Sequence, residues 1–264
     1  MSEALRVIRD YELIDDAKDW TYYIDDLNDV RRRIVRDLDL SPSMSFLDIG
    51  TGDGWFPLAV KEVLTQGLVA TIELAPNESE NARRRARKVG DTETQFLSMD
   101  AYQMAFAHNS FDAVGTFLAV QDICASTEDL ERLCREIARV LQPNGLFVTA
   151  TVTPEDAETE SQRLGIELYQ FIRAGYFSKA ELAAAFEASG FTVEPFRFYH
   201  TGVNLSPESA LEFIKFQCGW WVDTFQMPTV DWRTTWDKFG PRIRALKGVE
   251  VDAKITVALA RKSA

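Results

Sequence analysis

The sequence predicts an α/β fold built on a doubly wound parallel sheet. Two observations carry this. The stretch Ser45 to Val60 reads SFLDIGTGDGWFPLAV, a short apolar run, then Gly50, Gly52 and Gly54 at alternate positions, then an apolar-periodic segment reaching Leu64. That order is buried strand, glycine turn, helix. Beyond it, apolar runs of strand length alternate with amphipathic segments of helix length until five strands have been counted. Such alternation implies parallel strands joined by helical crossovers, with a ligand crevice at the strands' carboxyl ends.

Taken in order, residues 3–39 read as two amphipathic helices, acidic through Asp29 and then basic at Arg31, Arg32 and Arg33. Tyr11, Trp20, Tyr22 and Tyr23 are set among the acids, either packing on the domain body or facing a ligand. The strand and glycine loop come next. Glycines are required where φ is positive or where a ligand touches bare backbone, and the helix that follows points free N–H groups and its positive dipole end into the gap. A second strand, Leu68 to Leu74, ends at Glu73, about 20 residues past the loop, where an acid can accept bonds from both hydroxyls of a ribose. The run NARRRARK, Asn81 to Lys88, suits the exposed face and last turn of a helix stopped by Gly90.

Thr94 to Met99 forms the third strand, ending at Asp100, and Val114 to Val120 the fourth, with Gln121 and Asp122 at its end. Thr127 caps a helix running to Leu141; Pro143 and Gly145 punctuate the turn into the fifth strand, Leu146 to Val152. Ser178 to Gly190 is a capped helix with a glycine stop. Phe191 to Tyr199 is the sixth strand and Val251 to Lys262 the last. Between these two lies Thr201 to Gly248, too long for a hairpin and rich in aromatics: Trp220, Trp221, Phe225, Trp232, Trp236 and Phe239. It is either a satellite of the core or a cap facing a substrate.

Four features in this order resemble the class I S-adenosylmethionine (SAM) dependent methyltransferases of small-molecule type. These are Asp48 leading D-x-G-x-G-x-G, Glu73 after the second strand, Asp100 followed by S-F-D-x-V at Ser110 to Val114, and EIARVLQPNGLFVTAT. The dinucleotide pattern G-x-G-x-x-G fits less well, because Trp55 stands where its third small residue belongs. The resemblance implies a Rossmann-like, seven-stranded sheet whose last strand runs antiparallel between the fifth and sixth, with helical cap elements added. It further implies a single methyltransferase domain over residues 1–264, with residues 1–40 as a helical lid and 201–248 as a substrate cap. The cofactor set it implies is Asp48, Gly50, Thr51, Gly52, Gly54, Glu73, Leu74, Asp100, Ala101 and Phe117, with Asp100 on the adenine amino group and the Ala101 backbone against the ring.

The sulfonium supplies an activated methyl, so the protein mainly aligns donor and acceptor and excludes water. A base is needed only for an acceptor that is protonated at working pH. His200, opening the aromatic insert, and Asp122 are the candidate catalytic residues; His108 lies in a loop before Ser110. Tyr11, Trp20, Tyr23, Gln121, Trp220 and Trp221 are the expected substrate contacts. The reading is methyl transfer to an N or O atom of a small molecule, against a protein or RNA methyltransferase or a non-catalytic SAM-binding protein. No metal is expected: the region after the fifth strand reads TPED, without the Asp-Asn pair of metal-assisted catechol-type enzymes. The Asn-Pro-Pro-aromatic motif of amino-group DNA methylases is absent as well.

Composition bounds the partners. Of 264 residues, 46% are hydrophobic, ample for a buried core, and no run approaches a membrane span. The N-terminal MSEALRVIRDYE lacks a signal peptide's apolar centre. A formal charge of −12 argues against nucleic acid or an anionic membrane as the main partner. Cys124, Cys134 and Cys218 form no CxxC pair, so neither a disulfide framework nor a zinc site is expected, and the chain reads as reduced, cytoplasmic and soluble. Oligomeric state stays open, a homodimer included.

Overall fold

A computed structural model describes residues 18–52, 54–173 and 175–263. In chain order the elements are α1 (Lys18–Arg36), β1 (Phe46–Ile49), α2 (Trp55–Val63), β2 (Val69–Glu73), α3 (Pro76–Lys88), β3 (Gln95–Ser98), β4 (Phe111–Phe117) and α4 (Val120–Ile123). They continue with α5 (Thr127–Val140), β5 (Leu141–Thr151), α6 (Glu160–Ile172), α7 (Lys179–Ala188), β6 (Phe191–Val193), β7 (Arg197–His200), α8 (Pro207–Phe225), α9 (Trp232–Leu246) and β8 (Lys254–Lys262). The described residues form two compact units: a sheet unit of residues 28–52, 54–153, 175–199 and 255–263, and a helical unit of residues 18–27, 154–173 and 200–254.

In the sheet unit the strand order is β3-β2-β1-β4-β5-β8-β6, with β7 pairing β8. β1 to β5 are parallel, and β8 runs antiparallel between β5 and β6. This is the expected doubly wound, Rossmann-like sheet with its antiparallel last strand. Every residue of β1 and β2 is buried, as strands covered by helices on both faces must be. Leu47, Ile72, Val114 and Phe147 share one core with Leu133 and Ile137 of α5 and Phe186 of α7.

Several boundaries differ from expectation: the fourth, fifth and last strands begin at Phe111, Leu141 and Lys254, and three other differences have a local reason. The fourth strand ends at Phe117 rather than Val120, because Leu118 takes φ +51° and turns the chain out of the sheet. Gln121 and Asp122 therefore sit in the single turn of α4, not at a strand end. The cap of α5 is Ser126 rather than Thr127: its hydroxyl accepts from the Asp129 amide at 3.2 Å, and the Asp129 carboxylate accepts from the same hydroxyl at 3.0 Å. The sixth strand is broken into β6 and β7 around Pro195, which has no N–H to give a ladder. The cap expected at Ser178 is present, and it is a capping box with Glu181 as its partner.

The helical unit packs α6, α8 and α9 around Leu164, Leu168, Phe213, Ile214, Trp221, Phe239 and Ile243. Ser206 caps α8, and Asp231 caps α9 by accepting from the Arg233 and Thr234 amides. Both helices stop at a residue in the left-handed region, Gln226 and Lys247.

Candidate functional site

The glycine loop lies between β1 and α2, at the carboxyl end of the sheet. Gly50, Gly52 and Gly54 have φ of +71°, +45° and +81°, a region that side-chain-bearing residues enter at a cost. Their surroundings separate their roles. A Cβ on Gly50 would lie 2.6 Å from the Ala119 Cβ, and one on Gly54 would lie 2.8 Å from that of Ala82. Those two let the chain pass close to α4 and α3. A Cβ on Gly52 would meet nothing within 4 Å, so Gly52 alone borders open space.

Two buried acids brace the loop. The Asp48 carboxylate accepts from the Thr51 hydroxyl at 2.7 Å and is 1% exposed. Burial pushes its pKa up to about 7; the Thr51 bond opposes the rise, Glu73 adds to it and the Arg31 cation opposes it. Glu73, at the end of β2, accepts from the Gly52 amide at 3.0 Å and from the Ala75 amide at 3.2 Å. Burial raises its pKa as well, against the pull of those amides. A carboxylate has about four lone-pair positions, so these two bonds leave Glu73 capacity for ligand hydroxyls.

Next to the loop an aromatic row runs from Phe46 to Phe56, with centroids 6.0 Å apart, and on to Phe117 at 5.5 Å. The Arg31 guanidinium lies 4.5 Å from the Phe117 ring and donates to the Asn28 side chain at 2.8 Å. Arg31 was not among the expected site residues. Its sequence signal is weak, one arginine in a run of three, because what singles it out is proximity to Asp48 from a distant part of the chain. At the end of β2, Leu74 is an exposed apolar residue. Asp100 accepts from the Tyr102 amide at 2.8 Å, which folds the turn after β3 and presents the Ala101 backbone within it.

The remaining expected residues are distributed as follows. Gln121 is buried, accepting from the Thr151 hydroxyl at 3.0 Å through its side chain and from the Gly175 amide at 2.9 Å through its carbonyl. Asp122 is half-buried in α4, and its amide donates to the Ala119 carbonyl. His200 ends β7, exposed, and His108 is exposed before β4. Trp221 is buried in the helical unit's core, with Trp220 partly buried against it at 5.0 Å between centroids. Tyr11 lies outside the described residues, and Trp20 and Tyr23 fall in the part of α1 whose side chains lie outside them. Among the described residues no cluster of His, Cys, Asp or Glu is arranged to hold a metal.

The constellation is a backbone cradle with one open glycine, an acid able to take paired hydroxyls, and an exposed apolar residue beside them. A nucleoside carrying an amino-acid tail fits this set. Residues 47–149 match a family model described as a methyltransferase domain. Among curated relatives, sterol 24-C-methyltransferase erg6 of Aspergillus fumigatus is 31% identical over 165 residues, covering 60% of this chain and 42% of its own length. Demethylmenaquinone methyltransferase of Thermus thermophilus is 33% identical over 129 residues, covering 49% of this chain and 56% of its own. The chain thus spans about half the length of these relatives. In fold, the YcgJ protein of Bacillus subtilis superposes with a TM-score of 0.64 at 17% identity, over 89% of this chain and 98% of that one. The [4+2]-cyclase SpnF superposes at 0.62 and 18% identity, over 89% and 80%.

Proposed function

We propose that this chain is a class I, SAM-dependent methyltransferase, as the match of residues 47–149 to a methyltransferase domain supports, and that it transfers the methyl group of SAM to a small-molecule acceptor. The observation that carries the reading is the pairing of Gly52 and Glu73. The one loop glycine that faces open space is held by the acid placed to meet a ribose.

When bound, SAM supplies an activated methyl on its sulfonium. In the proposed site Glu73 accepts from the ribose hydroxyls. The amides of the first turn of α2 would face the cofactor's carboxylate. Leu74 and the Ala101 backbone flank the adenine, with Asp100 at its amino group. Asp48 holds Thr51 and so keeps the loop in shape, and Phe117 closes the apolar side. Base catalysis, where the acceptor demands it, falls to His200 or Asp122; Gln121, Trp220 and Trp221 are proposed to contact the acceptor. Residues 1–40 and 201–248 are proposed as lid and cap, in a cytoplasmic protein that does not act on nucleic acid. Hydrogen exchange tests the closure: S-adenosylhomocysteine protects residues 8–30 and part of 201–248 if these segments close, and only the loop and strand ends if they do not.

The acceptor atom is not restricted to nitrogen or oxygen. Relatives are named for carbon methylation of sterols and for demethylmenaquinone, and others for O-methylation of malonyl-[acyl-carrier protein]. A second reading, SAM binding without methyl transfer, draws support from the cyclase among the fold neighbours. Incubation with methyl-labelled SAM and a metabolite extract separates the two. Label appearing in a small molecule supports transfer; tight SAM binding with no labelled product supports the second reading.

A further inference from the structure

We propose that the outer face of α9 docks on an anionic phospholipid surface. α9 buries Thr235, Phe239, Gly240 and Ile243 in the helical unit. Its exposed side carries Arg233, Lys238, Arg242 and Arg244, followed by Lys247 just past the helix, against Asp231 and Asp237. In a chain with 41 acids and 29 bases this is a local reversal of sign.

Several bases elsewhere meet carboxylates, as in Arg32–Glu62 at 2.9 Å, Lys61–Glu93 at 2.6 Å and Lys254–Glu158 at 2.6 Å, and others lie on rings, as Arg132 does on Tyr102. On α9, Arg242 meets Glu167, and Arg233 reaches Asp231 only at 3.9 Å. Lys238, Arg244 and Lys247 come within ion-pair distance of no carboxylate among the described residues, although the Lys238 charge helps to lower the pKa of Glu167. Two of them lie instead on aromatic faces: Lys238 is 3.8 Å from the Phe171 centroid and Arg244 5.3 Å from that of Trp236. Trp232 holds Arg233 at 4.3 Å and Lys215 at 5.2 Å.

Trp236 lies against the helix backbone because Gly240 has no side chain; a Cβ there would come within 2.8 Å of the indole. The exposed positions between the cations are Thr234, Pro241 and Ala245, with the carboxylate of Asp237 among them. Partly exposed indoles beside Lys and Arg are the composition of a headgroup-level contact, where tryptophan favours the interface and cations are drawn to anionic lipid. The apolar side of α9 is committed to the core, so the contact is peripheral, not inserted. Nucleic acid suits the face less well, because cations already lie on the ring faces on which bases would stack. The docking is independent of methyl transfer.

Co-sedimentation of the full chain with vesicles tests it, using phosphatidylcholine alone and phosphatidylcholine mixed with phosphatidylglycerol. Binding is expected only to the mixed vesicles, weakening as salt rises. The triple variant Lys238→Glu, Arg244→Glu, Lys247→Glu should partition at least about 100-fold less, at roughly fivefold per cation. All three side chains are exposed, and circular dichroism confirms the fold of the variant. Three results would overturn the proposal: no binding of the parent chain to mixed vesicles at low salt, equal binding of the folded triple variant, or preference for single-stranded RNA over the vesicles.

Discussion

The glycine loop and the outer face of α9 both concentrate charge, and they hold it in opposite ways. At the loop, Asp48 and Glu73 are buried and accept bonds from Thr51, Gly52 and Ala75. On α9 the charges are exposed and lie on rings, with Trp232 and Trp236 beneath them. Burial disfavours the ionised form, so an acid kept there is held by oriented donors and is fixed in place. A cation on a ring at the surface keeps its hydration and much of its freedom. The first arrangement suits a ligand of defined shape; the second suits a partner that is broad and negatively charged.

The contrast can be broken most forcefully in the helical unit, whose core contains rings rather than buried acids bonded to amides. Trp221 is 4% exposed and packs on Trp220 and Phe225 at 5.0 and 5.4 Å between centroids. Trp221→Ala should destabilise the protein by about 3–5 kcal/mol, read by denaturant unfolding. A loss below about 1 kcal/mol would remove Trp221 from the core.

Next in size are the packed glycines. Gly54→Val places carbon against Ala82 and keeps a positive φ, for an expected loss of about 2–4 kcal/mol. Gly52→Val carries only the backbone cost, about 1–2 kcal/mol, because its side chain enters open space. Equal losses at the two positions would erase the distinction between packing glycine and ligand-facing glycine.

Asp48 gives a pH signature. Its pKa rises from 3.8 to about 7 on folding, so the folded chain binds more protons than the unfolded chain between those values. Stability from this group is present below pH 3.8 and is lost as pH rises toward 7. Asp48→Asn should therefore stabilise the protein at pH 8 relative to pH 5, by roughly 1–4 kcal/mol. Thermal unfolding of parent and variant at both pH values measures it, and a pH-independent difference would mean Asp48 is ionised without penalty.

The loop and its partner acid were legible in the sequence because both are local and periodic. Alternating glycines announce positive φ, and one crossover's worth of residues carries the chain from Gly52 to Glu73. The parallel sheet followed from alternation for the same reason, and the antiparallel place of its last strand from the family resemblance. Leu118 was not legible: an apolar residue at φ +51° looks like a continuing strand. Nor was Arg31, whose partners Phe117 and Asp48 belong to other elements. The aromatic insert was read by counting rings. The ring faces of Trp221, Trp232 and Trp236 carry the chain's own cations. Where a charge sits relative to a ring is a tertiary fact that neither composition nor periodicity contains.

Calorimetric titration of S-adenosylhomocysteine into the parent chain, Gly52→Val and Glu73→Ala tests the central claim most directly. The account predicts saturable binding by the parent, no detectable binding by folded Gly52→Val, and a loss of about 10- to 150-fold for Glu73→Ala, the equivalent of a charge-assisted bond of roughly 1.5–3 kcal/mol. Unchanged affinity in both folded variants would place the cofactor away from the glycine loop and contradict the account.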